Sequence, residues 1–340
     1  MTAGMTIAAL QRFLDAVAPE PAATVTAVTP LTGGYSRDTA IGEVVWADGR
    51  RQRLVLRGDP PSDRGVFVSD RDEEWRILSA LAATGPARIP APLWYDESGD
   101  HFGCKCIIND FYDGRSMQQV AREAGDDLTA VRDEFVDTFV DIHRTPVGDL
   151  AAAFATPPDW DTYIDGMIGL IDDSSRKGRD SDPSLRYAAA RLRSHRPPPV
   201  PLTLVHGDCQ PGNVLLGASG PVVIDWEFGR IGDPREDIGY YAHMPIPPNL
   251  YVTDPEAFLD RYRRRTGMTE EQLNPEIVEY FYLLGIIRLF EQEMAGAQAV
   301  AEGRPRGVLA TYLINTLSQQ CRTFFETCRA LPSDSSRGTR

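Results

Sequence analysis

The amino-acid sequence predicts an α+β molecule of two lobes, a small antiparallel sheet followed by a larger, mainly helical part. Three observations carry this. The chain has 340 residues, 42% of them hydrophobic, enough to bury a large core and to form about two folding units. Between Thr24 and Gly58 apolar residues alternate with polar ones and are punctuated by turn signals, the pattern of a β-meander. Beyond residue 113 apolar residues recur mostly at helical spacing.

Ile7, Leu10, Phe13, Leu14 and Val17 form one apolar stripe and predict an amphipathic helix over Met5 to Ala18, ended by Pro19. Strands follow at Val25 to Leu31, Thr39 to Trp46 and Arg53 to Arg57, the last two joined by an Asp48-Gly49 hairpin signal. Ser69 opens a helix through Trp75, Leu78 and Leu81 to a Gly85 stop, and Ile89-Pro90-Ala91-Pro92 forces an extended connection. A second β segment comprises Leu93 to Tyr95 and a longer strand from His101 to Asp110, leaving through a Gly-containing hinge at residues 111–114. Cys104 and Cys106 would share a face of that strand as small core residues. Leu128, Val131, Phe135, Phe139 and Ile142 predict a long helix, and further helices are expected over Ile277 to Val300 and Val308 to Leu331. One β-hairpin interrupts the helices around Gly220. The expected division is an N-lobe at 1–112, a helical C-lobe at 113–331, and a flexible tail at 332–340.

Charge and composition exclude several functions. Asp and Glu number 49 against 35 Lys and Arg, a net charge of −14 that repels a polyanion, so nucleic acid is not an expected partner. The most apolar stretch, Tyr280 to Ile287, is far shorter than the ~20 residues a membrane span needs, and the N-terminus has no basic region followed by an apolar segment. No membrane partner and a cytoplasmic location are therefore expected. Five scattered cysteines form neither a disulfide framework nor a metal clip.

The chemistry concentrates in residues 202–240, LTLVHGDCQPGNVLLGASGPVVIDWEFGRIGDPREDIGY. Asp208 and Asn213 flank a turn containing Pro211 and Gly212, and Asn213 leads into the apolar run Val214 to Leu216. After the Gly217 to Gly220 turn the chain returns through Val222 to Ile224 and ends at Asp225. An antiparallel hairpin sets the start of its first strand beside the end of its second, about 4.8 Å away, so Asn213 and Asp225 should be neighbours. An amide oxygen and a carboxylate are hard ligands that suit Mg²⁺ completed by water and nucleotide phosphates. Asp208, one tight turn earlier, is placed to accept the proton of a hydroxyl attacking a terminal phosphoryl group. Taken singly, these residues are ordinary loop, turn and cap residues; their order on one hairpin is what argues for chemistry.

The motifs HGDCQPGN, IDWE and GDPREDIG strongly resemble those of the aminoglycoside phosphotransferase and choline kinase-like family, HGDxxxxN, an IDWE-type metal motif and GDPxxDLA. The last differs at its end. The resemblance implies a bilobal protein kinase-like fold, with Asp208 as catalytic base and Asn213 and Asp225 as Mg²⁺ ligands. It further implies that His206 supports the loop, that Asp233 and Asp237 brace the lobe, that Glu227 stands near the metal, and that the backbone of Ile108 to Tyr112 meets the adenine. Gly33, Gly34 and Ser36 lie between two strands and are assigned to the nucleotide phosphates, a plain β-turn being the alternative. Arg57 stands where the kinase template has its phosphate-binding lysine, with Glu74 as its pairing partner; a surface arginine and an ordinary helical glutamate are the alternative there. His143 reads as a structural histidine, and Cys209 as a small neighbour of the base.

The expected activity is ATP- and Mg²⁺-dependent transfer of the terminal phosphoryl group to a hydroxyl of a small molecule, GTP not being excluded as donor. Two acceptor classes stand open. Asp237, Glu291 and Glu293 would favour a cationic aminoglycoside. Tyr280, Phe281, Tyr282, Leu284 and Phe290 would favour an apolar or acyl acceptor, unless they are core. The Arg57 pattern resembles kinase-like domains associated with acyl-CoA dehydrogenases, some of which phosphorylate hydroxyacyl-CoA. The Arg261 to Arg265 cluster is read as a solvated helix face. A nucleotide-binding sensor without catalysis is the alternative function; a protein kinase is disfavoured by the HGD and IDWE forms.

Overall fold

The computed structural model describes residues 4–19, 21–31, 38–59, 70–84, 88–150, 153–177, 183–244, 246–285, 303, 322–323 and 325–329. It begins with helix α1 (Ile7–Val17), capped by the Thr6 hydroxyl on the Ala9 N–H. Strands β1 (Ala23–Leu31), β2 (Asp38–Trp46) and β3 (Arg51–Gly58) form the expected meander. The β2–β3 turn has Gly49 at φ +86°, and the Asp48 carboxylate accepts the Arg50 N–H at 2.9 Å. Helix α2 (Arg71–Thr84) separates them from β4 (Pro92–Asp96) and β5 (Cys106–Asp110). The five strands make one antiparallel sheet of order β1-β2-β3-β5-β4.

Strand alternation divides this sheet into two faces. On one, Leu54, Leu56 and Ile108 pack with Leu10, Phe13 and Leu14 of α1, each fully buried. Burial of one such side chain contributes about 1.5–3 kcal/mol, so this short helix seals the face. The approach is close: a Cβ on Gly42 would meet Leu10 Cδ2 at 2.5 Å. On the other face, Arg57 and Ile107 are opposite one another in the β3–β5 register, as are Val55 and Asn109. Ile107 joins the central core with Ile77, Val223 and Trp226. This second face looks toward the rest of the molecule and carries the site.

Beyond β5 the chain passes into β6 (Gly114–Ser116), α3 (Met117–Glu123), α4 (Thr129–His143), α5 (Trp160–Lys177) and α6 (Pro183–Ser194). Then come β7 (Thr203–Val205), the hairpin β8 (Val214–Gly217) with β9 (Gly220–Val223), β10 (Arg230–Gly232), α7 (Arg235–Ala242), α8 (Pro255–Thr266) and a helix over 275–285. β6 pairs with β8, and β10 with β7. Phe135, Phe139, Tyr241 and Phe258 fill the core between α4, α7 and α8. The predicted α+β class and two-part architecture are present.

The strand foreseen from His101 is shorter, beginning at Cys106. The Asp96 carboxylate accepts the backbone N–H groups of His101 and Phe102, at 3.1 and 3.2 Å, and Gly103 adopts φ +75°. A local turn therefore outcompetes the sheet, and only Cys106 of the two cysteines lies in the strand. The Ser69 cap, the Gly85 stop and the helix expected over Val308 to Leu331 fall wholly or mostly outside the described residues, as does the second half of the helix that starts near 275.

Candidate active site

The loop at residues 206–208 is held from below by Asp237 of α7. Its two carboxylate oxygens accept the backbone N–H groups of His206 and Gly207, at 2.8 and 2.7 Å, and His143 Nε2 lies 3.1 Å from one of them. Tyr262 O–H lies 2.8 Å from His143 Nδ1, so the relay runs from α8 through α4 to the loop. Burial alone would raise the proton affinity of Asp237. The hydrogen bond from His143 and the neighbouring imidazoles and N–H groups outweigh it and hold the carboxyl below its ordinary value. His143 is thus the structural histidine expected, and Asp237, fully buried, contributes no surface field for a cationic acceptor. Asp233 is equally committed, receiving Trp160 Nε1 at 2.6 Å and two bonds from Arg235 at 2.9 and 2.6 Å.

His206 turns this support into loop geometry. The Asp208 N–H donates to its Nδ1 at 3.2 Å, which leaves the ring proton on Nε2 to donate to Ile224 O at 2.9 Å. One imidazole therefore ties the loop to the end of β9. Gly207 sits at φ +82°, where a Cβ would meet Phe228 O and Arg230 Nη1 at 2.7 Å. Only glycine accepts both the backbone angle and the crowding.

Asp208 emerges from this turn half-buried, with Asn213 Nδ2 donating to its carboxylate at 3.0 Å and to its backbone carbonyl at 2.9 Å. Gln210 Nε2 lies 3.3 Å from the same carboxylate. Burial and the negative charge of Asp225 push its carboxyl up to about 7, against the pull of the Gln210 and Asn213 hydrogen bonds. The hairpin register pairs Val214 with Val223, and the Ile224 N–H donates to Asn213 O at 2.9 Å. Asp225 therefore lies two residues past the last pair, and at φ +70° it turns out of the ladder, a conformation that is costly for a non-glycine residue.

From the sheet, Arg57 reaches across to this point. Its Nη2 lies 2.5 Å from Asp225 Oδ1 and 3.4 Å from Glu74 Oε1. Glu74 also pairs with the fully buried Arg71, which in turn meets Asp59 at 3.2 Å. The Arg57–Glu74 pair was legible in the sequence; the Arg57–Asp225 pair and Arg71 were not. Arg71 and Glu74 at i and i+3 on one helix were the available signal. Burial would weaken the hold of Arg57 on its proton, but Asp225 and Glu74 dominate and the guanidinium stays charged. Glu227 adds to the negative field at both Arg57 and Asp208.

The donor set suits a hard divalent cation. Asn213 spends its amide nitrogen on Asp208, which leaves its oxygen available to a cation, and the Ile224 N–H bond to Asn213 O brings the backbone just before Asp225 to the same end of the hairpin. Among the described residues no cluster of three His, Cys, Asp or Glu could hold a metal alone, so a cation here would share its shell with ligand oxygens. Gly33, Gly34 and Ser36 lie outside the described residues. Cys209 is fully buried and its thiol is pushed well up by burial, consistent with a packing role.

The neighbours proposed for an acceptor are core: Tyr280, Phe281, Tyr282 and Leu284 are buried, while Phe290, Glu291 and Glu293 fall outside the described residues. The Arg261 to Arg265 cluster is paired, Arg261 with Asp133 and Asp137, Arg263 with Glu256, Arg264 with Asp260 and Arg265 with Asp137. Among the described residues no helix is long and apolar enough to cross a membrane.

Comparison with known proteins agrees with this geometry. A candidate aminoglycoside phosphotransferase from Ralstonia eutropha has the same fold, with TM-score 0.65 and 18% identity over 96% of this chain and 98% of its own. The GDP complex of aminoglycoside 2'-phosphotransferase-IIIa superimposes with TM-score 0.57 and 16% identity, covering 94% and 98% of the two chains. Among curated proteins, mouse acyl-CoA dehydrogenase family member 10 is 25% identical over 242 residues, 68% of this chain and 21% of the mouse protein, so this chain matches only a fraction of that relative. The model of the phosphotransferase enzyme family matches residues 27–275, from β1 to the start of the last described long helix, and the chain belongs to that family.

Proposed function

We propose that the protein is an ATP- and Mg²⁺-dependent O-phosphotransferase that moves the terminal phosphoryl group to a hydroxyl of a small molecule. The observation that carries this reading is the convergence of Asp208, Asn213 and Asp225 from one loop and hairpin with Arg57 from the sheet. Asp208 is the base that takes the acceptor's proton as its oxygen bonds to phosphorus and the bond to the nucleoside diphosphate breaks. Asn213 fixes the orientation of that carboxylate. Asn213 and Asp225 hold Mg²⁺, which supplies charge neutralisation for the transferring phosphate. Arg57 binds the nucleotide phosphates and, between nucleotides, stays on Asp225. Residues 1–112 act as the nucleotide-binding lobe and 113–331 as the lobe that receives the acceptor, with Gly33, Gly34 and Ser36 on the phosphates and residues 332–340 as a tail.

The acceptor is either an aminoglycoside-like polyol or a hydroxyacyl-CoA. The burial of Asp237 removes one argument for the cation, and the likeness to the acyl-CoA dehydrogenase family member favours the acyl class. The test is mass detection of product after incubation with ATP, Mg²⁺ and separate panels of aminoglycosides, amino alcohols, sugars and hydroxyacyl-CoAs. A species heavier by one phosphate identifies the acceptor class. Binding of ATP·Mg²⁺ with no product from any panel favours the sensor reading, for which the Arg57–Asp225 pair would be the element that nucleotide displaces.

A further inference from the structure

Among the described residues, the site-facing surface of the sheet carries a buried polar side chain that the reaction does not use. Asn109 is only 6% exposed, and its Oδ1 is buried without a hydrogen-bond partner. It stands opposite Val55 on β3, one alternation along the same face from the Arg57–Ile107 pair. Its strand neighbour Asp110 is already engaged, its carboxylate taking Gln52 Nε2 at 2.9 Å and its N–H reaching Ala91 O at 2.8 Å. An unpaired carbonyl among Val55 and Ile107 is costly, and a bound ligand that donates to it would remove that cost.

The position of Asn109 defines what that ligand presents. With the phosphates at Arg57 and Asp225, the remainder of a nucleotide lies along the same face, past Val55 and Ile41, both partly exposed. These apolar side chains make a wall for a flat ring, and Asn109 stands at its edge. A carboxamide offers one acceptor and one donor side by side, and the adenine edge that matches both is the 6-amino group with N7. Guanine shows two acceptors there, O6 and N7, and would leave the asparagine oxygen unpaired. We infer that Asn109 reads the base through its carboxamide, and that it makes the protein select adenine over guanine nucleotides.

This rests on the nucleotide-dependent reading above, and the experiment separates the two. Binding to the full chain is titrated with ATP, GTP, 7-deaza-ATP and the triphosphate of purine riboside, which lacks the 6-amino group. The unaltered protein should prefer ATP to GTP by about tenfold or more and lose about fivefold or more with each analogue. Asn109→Leu, similar in volume, should lose the discrimination against 7-deaza-ATP and most of the ATP:GTP preference, keeping only the share of 6-amino sensitivity that the backbone of Ile108 to Tyr112 supplies. Asn109→Asp, which keeps only acceptors, should remain sensitive to the 6-amino group and become indifferent to N7. An Asn109→Leu protein with the original ATP:GTP ratio and analogue sensitivity would overturn the inference while leaving the phosphotransferase reading intact. Equal binding of all four by the unaltered protein would overturn it without any variant, and binding of none would instead defeat the reading beneath it.

Discussion

Arg57 answers two carboxylates at once, Glu74 at 3.4 Å and Asp225 at 2.5 Å, and is itself only 13% exposed. Removing it strips Asp225 of this partner and leaves Glu74 with Arg71 alone. Arg57→Ala should therefore destabilise the chain by about 3 kcal/mol, read as a shift in the urea unfolding midpoint. Arg57→Lys should recover only part of this, because the lysine ammonium reaches less far from the strand and is more strongly hydrated than a guanidinium. Asp208 has the opposite profile: its neighbours serve its orientation. Asp208→Ala should lower kcat by about 10²–10⁴ and leave the affinity for ATP·Mg²⁺ nearly unchanged, measured by product formation and by titration. Full activity in that variant would remove Asp208 from the role of base. Residue types at the site were readable because HGDCQPGN and IDWE are compact in sequence. Arg57 to Asp225 spans 168 positions. Nothing local encodes such a contact, and only the folded sheet face reveals it.

At the scale of the element, the loop before the turn at residues 211–213 is shaped by one glycine and one histidine acting on the hairpin. Gly207→Ala forces a Cβ against Phe228 O at 2.7 Å and holds alanine at φ +82°. The expected cost is about 2 kcal/mol, with kcat down by about 10² because a displacement near 1 Å would misalign Asp208. Thermal unfolding and steady-state rates would check the two effects separately; an alanine variant with unchanged stability would show that the loop relaxes freely. Elements were legible where a turn residue and an alternating pattern agreed, as at Asp48-Gly49 and around Gly220. The strand from His101 was overextended because Asp96 captures two backbone N–H groups five and six residues on, a side-chain effect invisible to periodicity. The Ile224 N–H bonds Asn213 O as a hairpin requires, but the left-handed turn that takes Asp225 off the ladder toward Arg57 has no sequence signal in an aspartate.

Across the whole molecule, the buried titrating groups under the catalytic loop connect helices α4, α7 and α8 to the β8–β9 hairpin, so their protonation bears on global stability. Burial pushes the His206 imidazole below its ordinary value, and the nearby Asp237 carboxylate only partly opposes this. Asp237 itself lies below the usual carboxylate range. Both groups therefore bind protons less readily folded than unfolded. For each, the stabilising contribution is complete above the unfolded value and is lost as pH falls through the folded one. Asp208, held up near 7 against about 3.9 unfolded, works the other way between pH 7 and 4, so the measurement is made in an Asp208→Asn background; with unfolded values of about 6.5 for histidine and 3.9 for aspartate, stability there should decline in two stages, first below about pH 6.5 and again below about pH 4. Urea midpoints measured from pH 8 to pH 3 would resolve them. His206→Asn should flatten the first stage, and Asp237→Asn the second, each on a lower plateau because a buried hydrogen-bond partner has been lost. If His206→Asn kept the full decline between pH 6.5 and 5, the buried imidazole would not be its source, and the proton uptake would have to be assigned to another histidine.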